Sequence, residues 1–167
     1  MPSRTQLVAA LVIPFAAACA KHPQHSADTA HAASDSSFAA LQARGQAAMG
    51  VDQYTSTHHF DALPDGGRIV LERDVDDSAG VAMIRSHLRE IAHAFQSGDF
   101  STPAFVHMRT VPGTQEMAAR RDAITYTVRD LPRGGELRIT TSDTTAIRAI
   151  HEFMAFQRRD HRAGGMR

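Results

Sequence analysis

The sequence has a single cysteine, no tryptophan and no excess of charge of either sign. Cys19 has no partner for an internal disulfide, and one thiolate cannot build a cysteine zinc cluster. Basic and acidic side chains number 18 each, so the chain lacks the positive field that a nucleic-acid surface requires. We therefore expect no nucleic-acid partner. The chain does have ten histidines, which are the first candidates for chemistry.

Long hydrophobic runs are also missing. The apolar run Leu7 to Ala18 has 12 residues, fewer than the ~20 that a membrane-spanning helix needs. Because it follows Arg4 near the start of the chain, it is typical of a secretory signal peptide. The sequence therefore predicts residues 1–18 as a leader, and an exported protein.

The leader is followed by an expected lipid attachment site. Ala16-Ala17-Ala18-Cys19 resembles the bacterial lipoprotein box, which predicts lipidation of Cys19 and a membrane anchor on the periplasmic side of the cell envelope. Ordinary cleavage after Ala18 or Ala20 is the alternative, and would leave a periplasmic protein without an anchor. Residues 19–37 have no apolar periodicity, so we expect them to form a flexible tether ahead of one domain at 38–167.

An internal repeat indicates the fold. Leu63-Pro64-Asp65-Gly66-Gly67 recurs as Leu131-Pro132-Arg133-Gly134-Gly135. Proline presets one turn dihedral and glycine supplies positive φ, so each copy predicts a hairpin between antiparallel strands. An amphipathic helix is expected after each hairpin, from the apolar spacing of two sets of residues: Ile84, Leu88, Ile91 and Phe95; Ile147, Ile150, Phe153 and Met154.

These elements predict an α+β fold, with a helix at about Phe38 to Met49 followed by a duplicated ββα unit. Its antiparallel sheet would carry the helices on one face. Between the two units we expect a strand at Phe105 to Arg109 and one helical turn after Pro112-Gly113. The order of the strands is not readable from the sequence.

Four histidines are placed toward the interior by these patterns. Aligning the two turns sets His58 against Tyr126 on the apolar face of its strand, so His58 should point inward and His59 outward. His87 and His151 border the apolar stripes of the two helices, and His107 shares strand parity with Phe105. His93 should be exposed, and His161 should be a cation favoured by the helix dipole.

The four inward histidines suggest a metal site. Neutral imidazoles bind copper and zinc, so His58, His87, His107 and His151 are the candidate ligands of one transition-metal ion. Soft sulfur for copper could come from Met108, Met117 or Met154. The chain would then act as a carrier, buffer or sensor of copper or zinc.

Two other interpretations stay open. The histidines could instead form hydrogen bonds in a metal-free module that binds a small ligand or a partner protein. An enzyme with His58 or His151 as general base is the third, although no nucleophile elbow, phosphate loop or dinucleotide fingerprint is present. The sequence gives no positive argument for catalysis.

The chain resembles an uncharacterised family of small exported bacterial proteins over about residues 44–165. The strings that carry the resemblance are MGVDQ (49–53), THHF (57–60), HLREIA (87–92), FVHMRTVPG (105–113) and HEFMAFQRRDH (151–161). The resemblance places His58, His87, His107, His151 and His161 on the family's histidine positions, but implies no established activity. Some relatives carry an aspartate carbamoyltransferase label, which does not fit here because this chain is too short and has no phosphate-binding loop.

Overall fold

The structure is a computed structural model that describes residues 24–50 and 52–163. The expected leader, Cys19 and His22 lie outside these residues. Two short 3-10 turns, Gln53–Thr55 and Arg121–Ala123, connect the main elements. In chain order these are α1 (Gln24–Met49), β1 (Ser56–Leu63), β2 (Gly66–Arg73), α2 (Ser78–Gln96), α3 (Ser101–His107), α4 (Thr114–Ala119), β3 (Thr125–Leu131), β4 (Gly134–Thr140) and α5 (Thr144–Asp160).

The four strands form one antiparallel sheet in the order β1-β2-β4-β3. Both repeats are hairpins, as expected, and their two-residue turns are Pro64-Asp65 and Pro132-Arg133. With the helices, this sheet confirms the predicted α+β class.

The two hairpins meet symmetrically at the centre of the sheet. Strands β2 and β4 pair so that Ile69 lies opposite Leu137, and these two residues are equivalent in the sequence repeat. A local two-fold axis therefore passes through this pair. The element order ββα occurs twice, while a duplication of one ancestral unit stays a prediction.

The helices α2 and α5 both pack on the inner face of the sheet, each on the other unit's hairpin. Helix α2 follows β2 but packs mainly on β3 and β4, and α5 follows β4 but packs on β1 and β2. The second glycine of each repeat permits this contact. A Cβ at Gly67 would lie 2.7 Å from Met154 Cε, and one at Gly135 would lie 2.8 Å from Leu88 Cδ1.

Both long helices bury the faces predicted for them. The four residues predicted to be buried on α2, Ile84, Leu88, Ile91 and Phe95, are all buried. Of the four predicted on α5, Ile150, Phe153 and Met154 are buried and Ile147 is partly exposed. Side-chain caps fix where the two helices begin: Asp77 accepts from the N–H of Gly80 in α2, and Asp143 accepts from the N–H of Thr145 and Ala146 in α5.

The connection between the two units differs from the prediction. Phe105 to Arg109 is not a strand, because the chain at Ser101–His107 is helix α3. Pro103, Val106 and His107 are buried at helical spacing, whereas Phe105 is 51% exposed. The helical turn expected after Pro112-Gly113 is present as α4.

Helix α1 begins earlier than predicted. It starts at Gln24 and not near Phe38, so backbone expected to be a flexible tether is helical. Alanines in this stretch favour the helix, since alanine has the highest helix propensity. The guanidinium of Arg162 also lies 4.2 Å from the ring centroid of Phe38 and donates to Ser34 and Asp35. No helix within the described ranges is long and apolar enough to cross a membrane.

Candidate functional site

A small cavity lies between the inner face of the sheet and the helices around it. Its volume is about 90 Å³. The apolar part of its wall includes Phe60, Leu71, Ile91 and Phe153. The imidazoles in its wall come from four different elements or their ends: His58, His87, His107 and His161.

His58 lies on the inner face of β1, as strand parity predicts, and its neighbour His59 is exposed. The Nε2 atom of His58 is buried and has no hydrogen-bond partner within the described part of the chain. Burial lowers the pKa of His58 to about 4, and the nearby His59 and His87 lower it further. The ring is therefore neutral at physiological pH.

His161 follows the last residue of α5, and its ring packs beside that of His58. The two ring centroids are 6.0 Å apart, and the centroid of Phe60 is 5.5 Å from that of His161. The Nδ1 atom of His161 is buried, again without a partner among the described residues. Burial lowers its pKa to about 3, so the expected cation at the helix end was wrong: desolvation outweighs the helix dipole.

His107 ends α3, and both of its ring nitrogens are engaged. Nδ1–H donates to Asp160 at 2.5 Å, and Nε2 lies 2.9 Å from the side-chain amide oxygen of Gln157. Its ring meets that of His161 edge to face, with centroids 5.0 Å apart. His107 therefore supports His161 and has no free nitrogen for a ligand.

His87 is a partly buried residue of α2 in the same cavity wall. Burial lowers its pKa below the usual histidine value. It is close enough to His58 to affect the pKa of that residue. His87 is therefore a third neutral imidazole beside the two unpartnered ones.

His151 is not part of this group. Its Nε2–H donates to the carbonyl oxygen of Leu63 at 2.8 Å, beside the first hairpin turn, and the residue does not line the cavity. The structure thus brings three of the four candidate ligands, His58, His87 and His107, to one cavity. His93 is exposed, as expected.

The structure does not place the predicted sulfur ligands, Met108, Met117 and Met154, in the cavity wall. Met117 and Met154 are fully buried in the core, and Met108 is 70% exposed. Met49, at the end of α1, lines the cavity instead. Across residues 24–50 and 52–163, no three His, Cys, Asp or Glu side chains stand together in a preformed metal site.

Sequence patterns missed Met49, and predicted His161 as a cation at the end of the last helix. The only sequence signal for His161 is its position in the string that the family resemblance covers, since helix periodicity ends where it lies. Met49 likewise lies in such a string, MGVDQ, but nothing in the sequence indicates that it reaches the cavity, because this depends on how α1 packs against α3 and α2.

Comparison with known proteins adds no assignment. No protein-family model matches the chain, and neither the curated proteins nor the solved structures give a match. The resemblance to small exported histidine-rich proteins stays a prediction.

Proposed function

We propose that this protein binds one transition-metal ion in the histidine-lined cavity, with copper(I) favoured over zinc, as a carrier, buffer or sensor. The first ligands would be Nε2 of His58 and Nδ1 of His161. The observation that carries the proposal is this pair of buried nitrogens, which have no hydrogen-bond partner among the described residues and lie on adjacent rings that line one cavity. Buried polar atoms without a partner are rare and call for an explanation.

The size of the cavity favours an ion over an organic ligand. Pockets for small organic molecules commonly measure ~300–1,000 Å³, whereas this cavity has about 90 Å³. One water needs ~10–15 Å³, so the space has room for an ion together with several waters. The metal-free reading, in which the histidines contact an organic ligand, is correspondingly less well supported at this place.

The charge state of the rings also suits a metal. An imidazole must be neutral to bind a metal ion. The pKa values of His58 and His161, about 4 and about 3, keep both rings neutral throughout the physiological pH range. No proton would have to be displaced near pH 7. A pKa so low makes His58 a weak general base, which argues against the catalytic alternative.

Copper(I) is favoured by the number and kind of ligands. It accepts two or three ligands and prefers soft ones, including thioether sulfur. His58 and His161 offer two nitrogens, and Met49 and His87 lie in the same wall. The described residues contain no preformed group of three His, Cys, Asp or Glu ligands. A third ligand, Met49 or His87, would therefore turn toward the ion on binding. Zinc would need four ligands in a tetrahedron.

The location of the protein is part of the same proposal. An exported chain anchored through a lipid on Cys19 would meet copper in the cell envelope, where few thiols compete for it. Replacing Cys19 with serine should move the protein from the membrane fraction to the soluble envelope fraction. Unchanged fractionation would argue for ordinary signal cleavage.

The metal proposal is tested by thermal unfolding of the full chain with Cu(I), Cu(II) or Zn(II) added separately. Cys19→Ser and the glutamine variants of His22, His25 and His31 form the background, so that N-terminal ligands do not contribute. An ion at 100 times its Kd stabilises the fold by about 2.7 kcal/mol. We expect Cu(I) at about 100 µM to raise Tm by several degrees.

Two neighbouring histidines provide the matched comparison. His58→Gln should remove most of the Cu(I)-induced rise in Tm, whereas His59→Gln, on the exposed face of the same strand, should retain it. A second variant, His161→Gln, should behave like His58→Gln. The proposal fails if no ion shifts Tm, or if the shift is the same in all three variants.

A further inference from the structure

A second cleft lies on the other side of His107. Its volume is about 380 Å³, and it opens between the middle of α1, the end of α3 and the end of α5. Four arginines line it, Arg44, Arg109, Arg159 and Arg162, and Asp160 is the one carboxylate among the described residues of the wall. Basic and acidic residues balance over the whole chain, so this is a local concentration of positive charge.

Within the described part of the chain, most of that charge has no opposite partner. Asp160 is engaged by Nδ1–H of His107, and Arg162 pairs with Asp35 at the rim. Within the described residues, no carboxylate lies within 4 Å of the guanidiniums of Arg44, Arg109 or Arg159. Arg44 donates to the carbonyl oxygen of Val106 at 2.7 Å, which leaves its charge uncompensated.

Two of these guanidiniums are held on one aromatic ring. The Cζ atoms of Arg109 and Arg159 lie 5.5 and 5.7 Å from the ring centroid of Phe156. This contact orients both groups through cation–π attraction. Neither guanidinium donates a hydrogen bond to any described residue, so their N–H groups are available to a ligand. Each presents a planar fork that matches the two oxygens of a carboxylate or phosphate.

We infer that this arginine-lined cleft binds a small anion that carries a carboxylate or phosphate group, with Arg109 and Arg159 as its main contacts. The volume reaches the lower end of the range for small organic ligands. The inference is independent of the metal proposal, because it rests on different residues and a different cavity.

The backbone adopts an uncommon conformation at two positions beside the arginine-lined cleft. Among the described residues, only two that are not glycine have positive φ, Met108 at 52° and Arg162 at 51°. Met108 directly precedes Arg109, and Arg162 lines the cleft. Both residues lie at the C-terminal end of a helix, where left-handed backbone commonly ends the helix, so the chain turns at two points on the edge of the cleft.

The test is isothermal titration calorimetry of the full chain with inorganic phosphate and, separately, with succinate, at constant ionic strength. The matched variants are Arg109→Gln with Arg159→Gln, and Arg148→Gln, an exposed residue of α5 outside the cleft. All three positions are exposed, so the variants should fold, which circular dichroism will check. We expect saturable binding of at least one anion, weakened about tenfold or more in the double variant.

The two anions distinguish a phosphate ligand from a carboxylate ligand. Binding of phosphate alone identifies a phosphate ligand, and binding of succinate alone identifies a carboxylate ligand. Loss of binding in the double variant, with binding retained in Arg148→Gln, supports the inference. It is overturned if neither anion saturates below about 10 mM, or if the double variant binds as tightly as the wild type.

Discussion

Burial sets the charge of the imidazoles around the small cavity, and the free energy of unfolding therefore depends on pH. His58, His87 and His161 have lowered pKa values in the folded chain, about 4 for His58 and about 3 for His161, against 6.5 when unfolded. Below pH 6.5 the unfolded chain therefore binds protons that the folded chain does not. Stability is full above that pH and is lost as the pH falls toward the folded pKa values, by ~1.4 kcal/mol per pH unit each for His58 and His161.

The measurement is urea unfolding of the metal-free protein at pH 7.5 and pH 5.0, with a chelator present. His161→Phe should reduce the loss of unfolding free energy between the two pH values, because one titrating ring is gone. His93→Gln, at an exposed position, should leave that loss unchanged. A wild-type protein equally stable at both pH values would contradict the prediction.

Met108 carries unfavourable backbone at the end of α3. Its φ of 52° lies in the left-handed region, which glycine adopts without a Cβ clash. Since the side chain is 70% exposed, little packing would be lost, and Met108→Gly should raise the unfolding free energy by up to ~1 kcal/mol. Met108→Ala keeps the Cβ and should give no such gain. Chemical denaturation of both variants provides the comparison.

The sequence predicts side-chain direction only where an element has a regular period. The exposure of His59 and His93 and the inward position of His58 follow from strand parity and helix periodicity. His161 lies one residue past the end of α5, where no period applies. Its burial is produced by Phe60 and His58 of a distant strand, so local patterns misjudged its charge.

At the scale of elements, the close contact between α5 and β2 depends on Gly67. An added Cβ would lie 2.7 Å from Met154 Cε and 2.9 Å from Ile150 Cγ2, so Gly67→Ala should destabilise the fold by ~1–3 kcal/mol through overpacking. Combining it with Met154→Ala should destabilise less than the sum of the two single changes, because the truncated side chain removes part of the clash. Additive free energies of unfolding would show that the helix shifts to accommodate the Cβ.

Elements with their own turn residues or apolar stripes were predictable. Both hairpins, α2 and α5 follow from the repeated turns and the apolar stripes. The short segment Phe105 to Arg109 was predicted as a strand with His107 on the same face as Phe105, yet Val106 and His107 are buried as part of a helix. The start of α1 was missed because its first turns carry no apolar stripe.

For the whole molecule, the exchange of helices between hairpins predicts that neither half folds alone. A chain cut between Gly98 and Asp99 would separate α2 from β3 and β4, and α5 from β1 and β2. Each fragment alone should show no cooperative thermal unfolding by circular dichroism, because its helix and its hairpin would have exposed apolar faces. Mixing the fragments should restore a cooperative transition.

An independent cooperative transition in either fragment would show that one unit supports its own core. A noncleaved chain with a flexible insertion at the same position is the control, and should unfold cooperatively. The order of the strands was not predictable for a related reason: pairing of β2 with β4 joins residues about seventy positions apart, and no local signal specifies such a partner.

The ring of His107 forms part of the wall of both cavities, and its hydrogen-bond partner Asp160 also lines the arginine cleft. If an anion in the cleft displaces the Asp160 carboxylate from this imidazole by like-charge repulsion, the support beneath His161 changes as well. Thermodynamic reciprocity then requires that whatever factor the anion imposes on copper affinity, copper imposes on anion affinity. Because the two cavities share this wall, a change in anion binding would be measurable as a change in copper affinity, and the reverse.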